Sequence, residues 1–255
     1  MPKKMCDEVV SILENRKVNG KYYKLTFQST LLSQKVQPGQ FLQIRINQGN
    51  DPFLRRPFSY YRVIGKRVEL LYEILGRGTD VLSKKKKNDE LQIMGPLGKG
   101  FCKTIGKKKR LLVAGGVGVP PLVFLAERYS TDYLLIGTKS KLEVLPKHEL
   151  KKVKAEILYA TEDGSYGSKG MVTALLEKII MHEDPRGFFI QTCGPKRMME
   201  AVMALAGKYG IEGESSWDET MACGVGACLG CMVQTKEGLQ RACVDGPVFK
   251  FKDLV

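Results

Sequence analysis

Histidine is almost absent: only His148 and His182 occur in 255 residues. Both lie in charged stretches of helical character, which predicts surface positions rather than general acid or base roles. The chain has no paired carboxylates and no nucleophile set beside a base, the arrangements that hydrolytic and proton-transfer chemistry need. Acidic residues are fewer than basic ones, 27 against 41, and the formal charge is +14. Much of that excess sits in two short runs, Lys84 to Lys87 and Lys107 to Arg110, between periodic segments where charges are usually only solvated. No RNA- or DNA-binding module accompanies these lysines, so no nucleic-acid role is expected. Long apolar runs are also missing. The longest, Leu111 to Ala126, is broken by three glycines and a Pro-Pro pair and does not read as a membrane span. No charged n-region and apolar h-region open the chain, and the cysteine total of seven is odd. A secreted disulfide framework is therefore not expected, and the reading is soluble and cytoplasmic.

What the chain does have is a concentration of cysteine near its end. Cys223, Cys228 and Cys231 are spaced C-x4-C-x2-C, and Cys243 follows twelve positions later. That is the plant-type spacing for a 2Fe–2S cluster, in which a tight loop supplies three of four thiolates. Gly224, Gly226 and Gly230 suit such a loop, because glycine permits positive φ and lets backbone N–H groups approach cluster sulfurs. Ala222 and Ala227 leave room. Four cysteines also make a structural zinc site, but zinc ribbons present two separated C-x2-C knuckles, and here three ligands crowd into nine residues. Of the other cysteines, Cys6 and Cys102 read as small buried hydrophobes.

From Cys6 to about Met94, short alternating runs separated by turn residues predict antiparallel strands: Val9–Leu13, Tyr22–Phe27, Phe41–Ile46, Phe58–Ile64, Val68–Leu75 and Leu91–Met94. Six strands in so short a span suggest a small barrel. Arg56-Pro57-Phe58-Ser59 opens one of them, and Gly76-Arg77-Gly78-Thr79 lies one strand later. An arginine grips a pyrophosphate bidentately, and a glycine turn entering a helix offers free N–H groups to the same anion. Each alone has a plainer reading, a surface arginine and a helix cap. Ile93 to Phe101 reads as a hinge into a second domain.

Beyond Arg110 the period changes. Leu111 to Ala114 is a buried parallel-type strand, and Gly115-Gly116-Val117-Gly118-Val119-Pro120-Pro121 leads into a helix, with Pro120 suited to the first helical position. Strand, glycine turn and helix in that order place backbone against a pyrophosphate, although tight packing asks for the same glycines. Strands then alternate with helices: Tyr133–Ile136, a helix near Lys147–Val153, Glu156–Tyr159, a helix Met171–Met181, Phe188–Gln191 and a helix Lys196–Tyr209. This implies a parallel sheet covered on both faces. Cys193-Gly194-Pro195 falls at one strand end, where ligands collect, and reads either as a functional position or as a packed loop thiol.

Taken in order, Arg56-Pro57-Phe58-Ser59, Gly78-Thr79, Gly115 to Pro121 and Thr192-Cys193-Gly194-Pro195 resemble the flavin and nicotinamide motifs of the ferredoxin-NADP reductase superfamily. The tail, Met221 to Cys231 and Cys243 to Phe249, is similar to that of the electron-transfer subunits of NAD-linked (class 1B) dihydroorotate dehydrogenases. The resemblance implies a multidomain α/β plus β protein. Residues 1–101 would form an antiparallel β-barrel domain binding FAD, 102–213 a parallel α/β domain binding NAD(H), and 214–255 a 2Fe–2S module. It implies FAD on Arg56, Pro57, Phe58, Ser59, Leu71, Tyr72, Glu73, Gly78 and Thr79, with Ser59 near the flavin N5. It also implies NAD(H) against Gly115, Gly116, Gly118, Pro120 and Cys193, and the cluster on Cys223, Cys228, Cys231 and Cys243. The superfamily usually has tyrosine where Phe58 stands. Gly137-Thr138-Lys139-Ser140-Lys141 offers no acidic residue for a ribose 2′-hydroxyl, so NAD is the family's implication alone. Dihydroorotate oxidation needs a base and a second flavin on a barrel of about 250 residues. An FMN-containing catalytic partner is therefore expected, two copies of each chain together, serving de novo pyrimidine (UMP) synthesis. The alternative keeps the cofactors and changes the partner, to a transhydrogenase, sulfide dehydrogenase or glutamate synthase-like complex.

Overall fold

The computed structural model describes residues 6–32, 36–49 and 51–255. The first six strands are β1 (Cys6–Lys17), β2 (Tyr22–Gln28), β3 (Phe41–Arg45), β4 (Arg56–Ile64), β5 (Arg67–Glu73) and β6 (Glu90–Leu97), with helix α1 (Arg77–Ser83) between the last two. They close into a barrel in the order β1-β2-β5-β4-β3-β6, every pairing antiparallel. Alternation in the sequence becomes two faces. On β2, Leu25 and Phe27 enter the barrel core with Leu42, Ile44, Tyr60 and Leu70, while Tyr22, Lys24 and Thr26 point the other way.

The second layer is a seven-stranded sheet. Its strands β7 (Lys109–Gly115), β8 (Tyr133–Thr138), β9 (Glu156–Thr161), β10 (Ser168–Lys169), β11 (Phe188–Cys193), β12 (Glu212–Ser216) and β15 (Val248–Lys250) lie in the order β10-β9-β8-β7-β11-β12-β15. Only β15 runs antiparallel, on β12. Leu111, Leu112, Val113 and Ala114 are all fully buried, because helices cover both faces. Leu111 and Val113 meet α3 (Val172–His182) and α4 (Lys196–Lys208); Leu112 and Ala114 meet α2 (Val119–Arg128). The remaining strands, β13 (Met232–Thr235) and β14 (Gly238–Arg241), form a separate hairpin.

Helix α2 is the joint between barrel and sheet, and residues Val119 to Ala126 are buried all round. Gly118 is its N-cap and a 3-10 turn (Gly116–Gly118) precedes it, so Pro120 is the second helical residue rather than the first. A cluster of buried charges locks the same junction. Glu149, 2% exposed, pairs with Lys24 at 2.6 Å and Arg62 at 3.1 Å, and Arg62 also pairs with Glu127 on α2 at 2.6 Å. Tyr61 donates its hydroxyl to the Glu149 carbonyl at 3.0 Å. This corrects the helix expected over Lys147–Val153, which is one 3-10 turn, Lys147–Glu149. Glu149 and Leu150 are both buried, and the Glu149 carbonyl is taken by the Tyr61 hydroxyl while the Val153 N–H bonds the Leu150 carbonyl, so the turn does not continue as an α-helix.

Candidate functional site

The sheet's strand order reverses between β7 and β11, and their C-terminal ends meet there. A Cβ on Gly118 would lie 2.0 Å from the Cys193 carbonyl oxygen, and one on Gly115 would lie 2.5 Å from the Met198 sulfur. Gly118 is therefore required by packing against backbone, and a side chain at Gly115 would displace Met198. Gly116 is different: its φ is +49°, and its carbonyl accepts the Tyr22 hydroxyl at 2.7 Å. Sequence reasoning found no acidic residue at 137–141; the fold returns Glu143 to that strand end, where it accepts the Lys139 N–H at 3.3 Å and pairs with Lys21 at 3.0 Å.

Facing this junction is an open cleft with about 780 Å³ of empty space. Pro57, Phe58 and Ser59 line it from β4, and Leu71, Tyr72 and Glu73 from β5. Thr79 and Cys193 complete the expected residues that border it. Phe58 and Tyr72 meet edge-on at 5.8 Å, and the Tyr72 hydroxyl donates to Asn15 at 3.0 Å, which fixes the wall. Arg56 stands outside that lining but packs on Gly78, where a Cβ would lie 2.7 Å from the guanidinium Nε. Arg56 and Gly78 are thus brought together as a diphosphate cradle requires. The Thr79 hydroxyl accepts the N–H groups of Leu75 and Gly76 at 2.9 and 3.3 Å, so it shapes the turn and leaves anion contact to backbone N–H groups. Burial, with Asp218 adding to it, pushes the Cys193 thiol up to about 12. Cys193 is a neutral wall residue there, not a nucleophile.

Trp217, Met221, Phe41 and Val117 also line the cleft, although sequence reasoning gave them no role. The one available signal was that the chain's single tryptophan sits at the end of its last parallel strand.

The cysteines sit beside this wall. Met221 and Pro247 both line the cleft, and Met221 precedes Cys223 by two residues, so their Cα atoms are within roughly 7 Å. The hairpin β13–β14 carries the chain out and back to Cys243, held by Ala242 N–H donating to the Cys231 carbonyl at 2.8 Å. Arg241 and Asp245 clamp the return at 3.0 Å. Gly224 and Gly226 have φ of +70° and +79°, as a loop that turns its N–H groups inward demands.

Four thiols in the C-x4-C-x2-C…C spacing, three of them on a loop whose Gly224 and Gly226 take positive φ, fit a 2Fe–2S cluster. Burial raises the Cys223 thiol, but hydrogen bonds from the Val225, Cys228 and Ala227 N–H groups and from the Cys228 side chain outweigh this and lower it to about 6.

A barrel and a switched parallel sheet sharing one cleft, with a cysteine loop beside its wall, define an electron-transfer oxidoreductase of the ferredoxin-reductase type. The solved structure of an NADH-dependent reduced ferredoxin-NADP oxidoreductase, described for flavin-based electron bifurcation, matches with TM-score 0.84 and 26% identity over 97% of this chain and 90% of that one. A ferredoxin NADP+ reductase from Neisseria gonorrhoeae with bound FAD and NADP shares the fold at TM-score 0.68 and 16% identity, over 80% and 92% of the two chains. A family model for the iron-sulfur cluster binding domain of dihydroorotate dehydrogenase B matches residues 218–255.

Two curated relatives, each named dihydroorotate dehydrogenase B (NAD(+)), electron transfer subunit, are 38% identical. That of Desulforamulus reducens aligns over 89% of this chain and 90% of its own, and that of Caldanaerobacter subterraneus subsp. tengcongensis over 93% and 94%. The chain belongs to the family of dihydroorotate dehydrogenase B electron-transfer subunits. FAD, a 2Fe–2S cluster and NAD(H), the cofactors expected from the sequence, agree with that membership.

Proposed function

We propose that this chain relays electrons between NAD(H) and the FMN of a dihydroorotate dehydrogenase catalytic subunit, two of each chain forming the complex, in cytoplasmic pyrimidine synthesis. Arg56, Gly78 and the first-turn N–H groups of α1 would hold the FAD diphosphate, with Pro57, Phe58, Ser59, Leu71, Tyr72, Glu73 and Thr79 around the rest. Gly116 and the β7 and β11 strand ends would receive NAD(H). FAD held there would supply the chemistry that links one-hydride, two-electron exchange with nicotinamide to one-electron exchange with a cluster. The protein's own work is to hold the sites close and keep Cys193 neutral beside them.

The observation that carries this reading is the continuity of the cleft wall, through Met221 and Pro247, with the cysteine loop. The partner's side is suggested by exposure. Cys228 is exposed, and Val225, Leu229, Leu239 and Val244 around the module are 42%, 60%, 63% and 38% exposed. An apolar surface beside a redox site suits a docking face. Among the described residues, no helix is long and apolar enough to cross a membrane.

The test is anaerobic purification with iron and acid-labile sulfide analysis, followed by NADH and NADPH titration of flavin absorbance. Absence of iron and sulfide refutes the relay. Co-purification of an FMN protein that oxidises dihydroorotate is the expected result. The likeness to the bifurcating oxidoreductase favours a second reading, with a different iron–sulfur partner. Isolation with such a protein and without an FMN subunit would establish it.

A further inference from the structure

The outward face of β3 buries a polar side chain. Phe41 lines the flavin cleft, and two residues later on the same face stands Gln43, fully buried at 0% exposure. The β3–β6 register slips between these two positions, with one extra residue on β6, the kind of bulge that re-aims a side chain. Among the described residues, neither end of the Gln43 amide has a hydrogen-bond partner. A buried amide without partners is destabilising. Its direction is informative. A Cβ on Gly224 would lie 2.6 Å from Gln43 Nε2, so the amide abuts the residue directly after Cys223. Gly224 is thereby held to glycine twice, by its φ of +70° and by this contact.

We infer that the Gln43 carboxamide donates its N–H bonds to the sulfur of the cluster beside Gly224 and, through that contact, raises the cluster's reduction potential. The environment selects the donor end. Thiolate and sulfide sulfurs accept hydrogen bonds, and a carboxamide meets them with its NH2 group. Reduction adds one negative charge, so an N–H donor stabilises the reduced form more than the oxidised one. Because β3 also supplies Phe41 to the cleft wall, one strand of the barrel touches both redox sites. Gln43 is a positioning and tuning residue; it ligates nothing. The inference rests on the cluster reading above.

The experiment uses the full-length, cluster-loaded protein with Gln43→Met, which keeps the volume and removes both donors, and Gln43→Glu, which keeps the shape and removes the NH2. Iron and acid-labile sulfide are assayed first. The cluster is then titrated potentiometrically by EPR, and its Fe–S stretching bands are compared in H2O and D2O by resonance Raman. The expected result for both variants is full iron content and a roughly tenfold less favourable reduction, about 59 mV for one electron. The D2O shift of the Fe–S bands should also shrink. If Gln43→Met fails to load, Gln43→Asn is titrated instead, since it withdraws the amide by one methylene, and a lowered potential is again expected. A loaded variant with wild-type potential and wild-type D2O shift overturns the inference. Wild-type protein without iron and sulfide would instead sink the cluster reading itself, so the two failures are distinguishable.

Discussion

Replacing Glu149 by leucine tests whether the charge cluster joins the barrel to the sheet. Glu149 is 2% exposed, and Lys24, 7% exposed, reaches it at 2.6 Å. Among the described residues Lys24 has no second carboxylate, whereas Arg62 keeps Glu127 at 2.6 Å and Glu69 at 3.7 Å. Removing the anion therefore leaves one buried ammonium uncompensated, which is destabilising by about 3–5 kcal/mol. For a chain of this size that is a fall in Tm of roughly 6–20 °C. Lys24→Met added to Glu149→Leu should recover most of the loss, because the apolar pair needs no counter-charge. Burial raises the Glu149 carboxyl, but Lys24 and Arg62 more than offset this and hold it below the usual range. A folded pKa lying below the unfolded value, about 4.3, gives stability that is full above that value and is lost as pH falls through the folded pKa. The gap between wild type and Glu149→Leu should thus be complete at pH 7 and close below about pH 4. Thermal melts of the holoprotein, followed by circular dichroism and flavin fluorescence, measure all of this. A Glu149→Leu protein within about 1 kcal/mol of wild type at pH 7 would refute the reasoning.

Cys228→Ser should abolish the visible absorption of the cluster and retain most of the FAD, since the flavin wall of β4 and β5 does not involve that loop; normal iron content would remove Cys228 from the ligand set. Arg56→Ala should weaken FAD retention by about tenfold or more, as loss of a charge-assisted contact worth about 1.5–3 kcal/mol predicts; unchanged flavin occupancy after gel filtration would count against the cradle. Gly118→Ala places a methyl 2.0 Å from a backbone oxygen and should lower stability by about 1–3 kcal/mol, measured by urea unfolding; a neutral effect would show that the two turns do not pack as described.

Local signals were legible in the sequence, and long-range ones were not. The iron–sulfur module is readable because its cysteines are spaced along one stretch of chain, and the family model matches there. The barrel is readable because Leu25 and Phe27 alternate with outward residues on β2. Arg56 and Gly78 are 22 positions apart in sequence yet belong to recognisable motifs, and they meet. Glu149 is the opposite case. Among surrounding lysines it looks like part of a solvated helix, and only the arrival of Lys24 and Arg62 from the barrel turns it inward. Gln43 is similar, a polar residue in an apolar strand whose meaning depends on Gly224, 181 positions later. The glycines of the β7 turn show a different limit. Packing and ligand binding ask for the same residue, so composition could not separate them; the fold adds that Gly118 packs against the Cys193 backbone.

The placement of the cysteine loop is fixed by how the chain leaves the sheet and returns to it. Strand β12 ends at Ser216, the chain departs through Trp217, and it comes back through Pro247 into β15, which pairs with β12. Trp217 N–H donates to the Pro247 carbonyl at 2.9 Å, so the two strands of the neck are tied together. Lys99, just beyond the barrel, donates its N–H to the Gly246 carbonyl at 2.6 Å and ties the neck to the barrel as well. The far end is anchored too, with Lys236 N–H on the Asp253 carbonyl at 2.8 Å. The whole cysteine-bearing excursion is therefore pinned at its base and its tip. Because Trp217 and Pro247 at the base are also walls of the cleft, the loop cannot swing outward without opening that cleft. The distance between the cleft and the cysteine loop is thus set by backbone hydrogen bonds within this chain, and under the proposed reading a partner would approach the exposed Cys228 side.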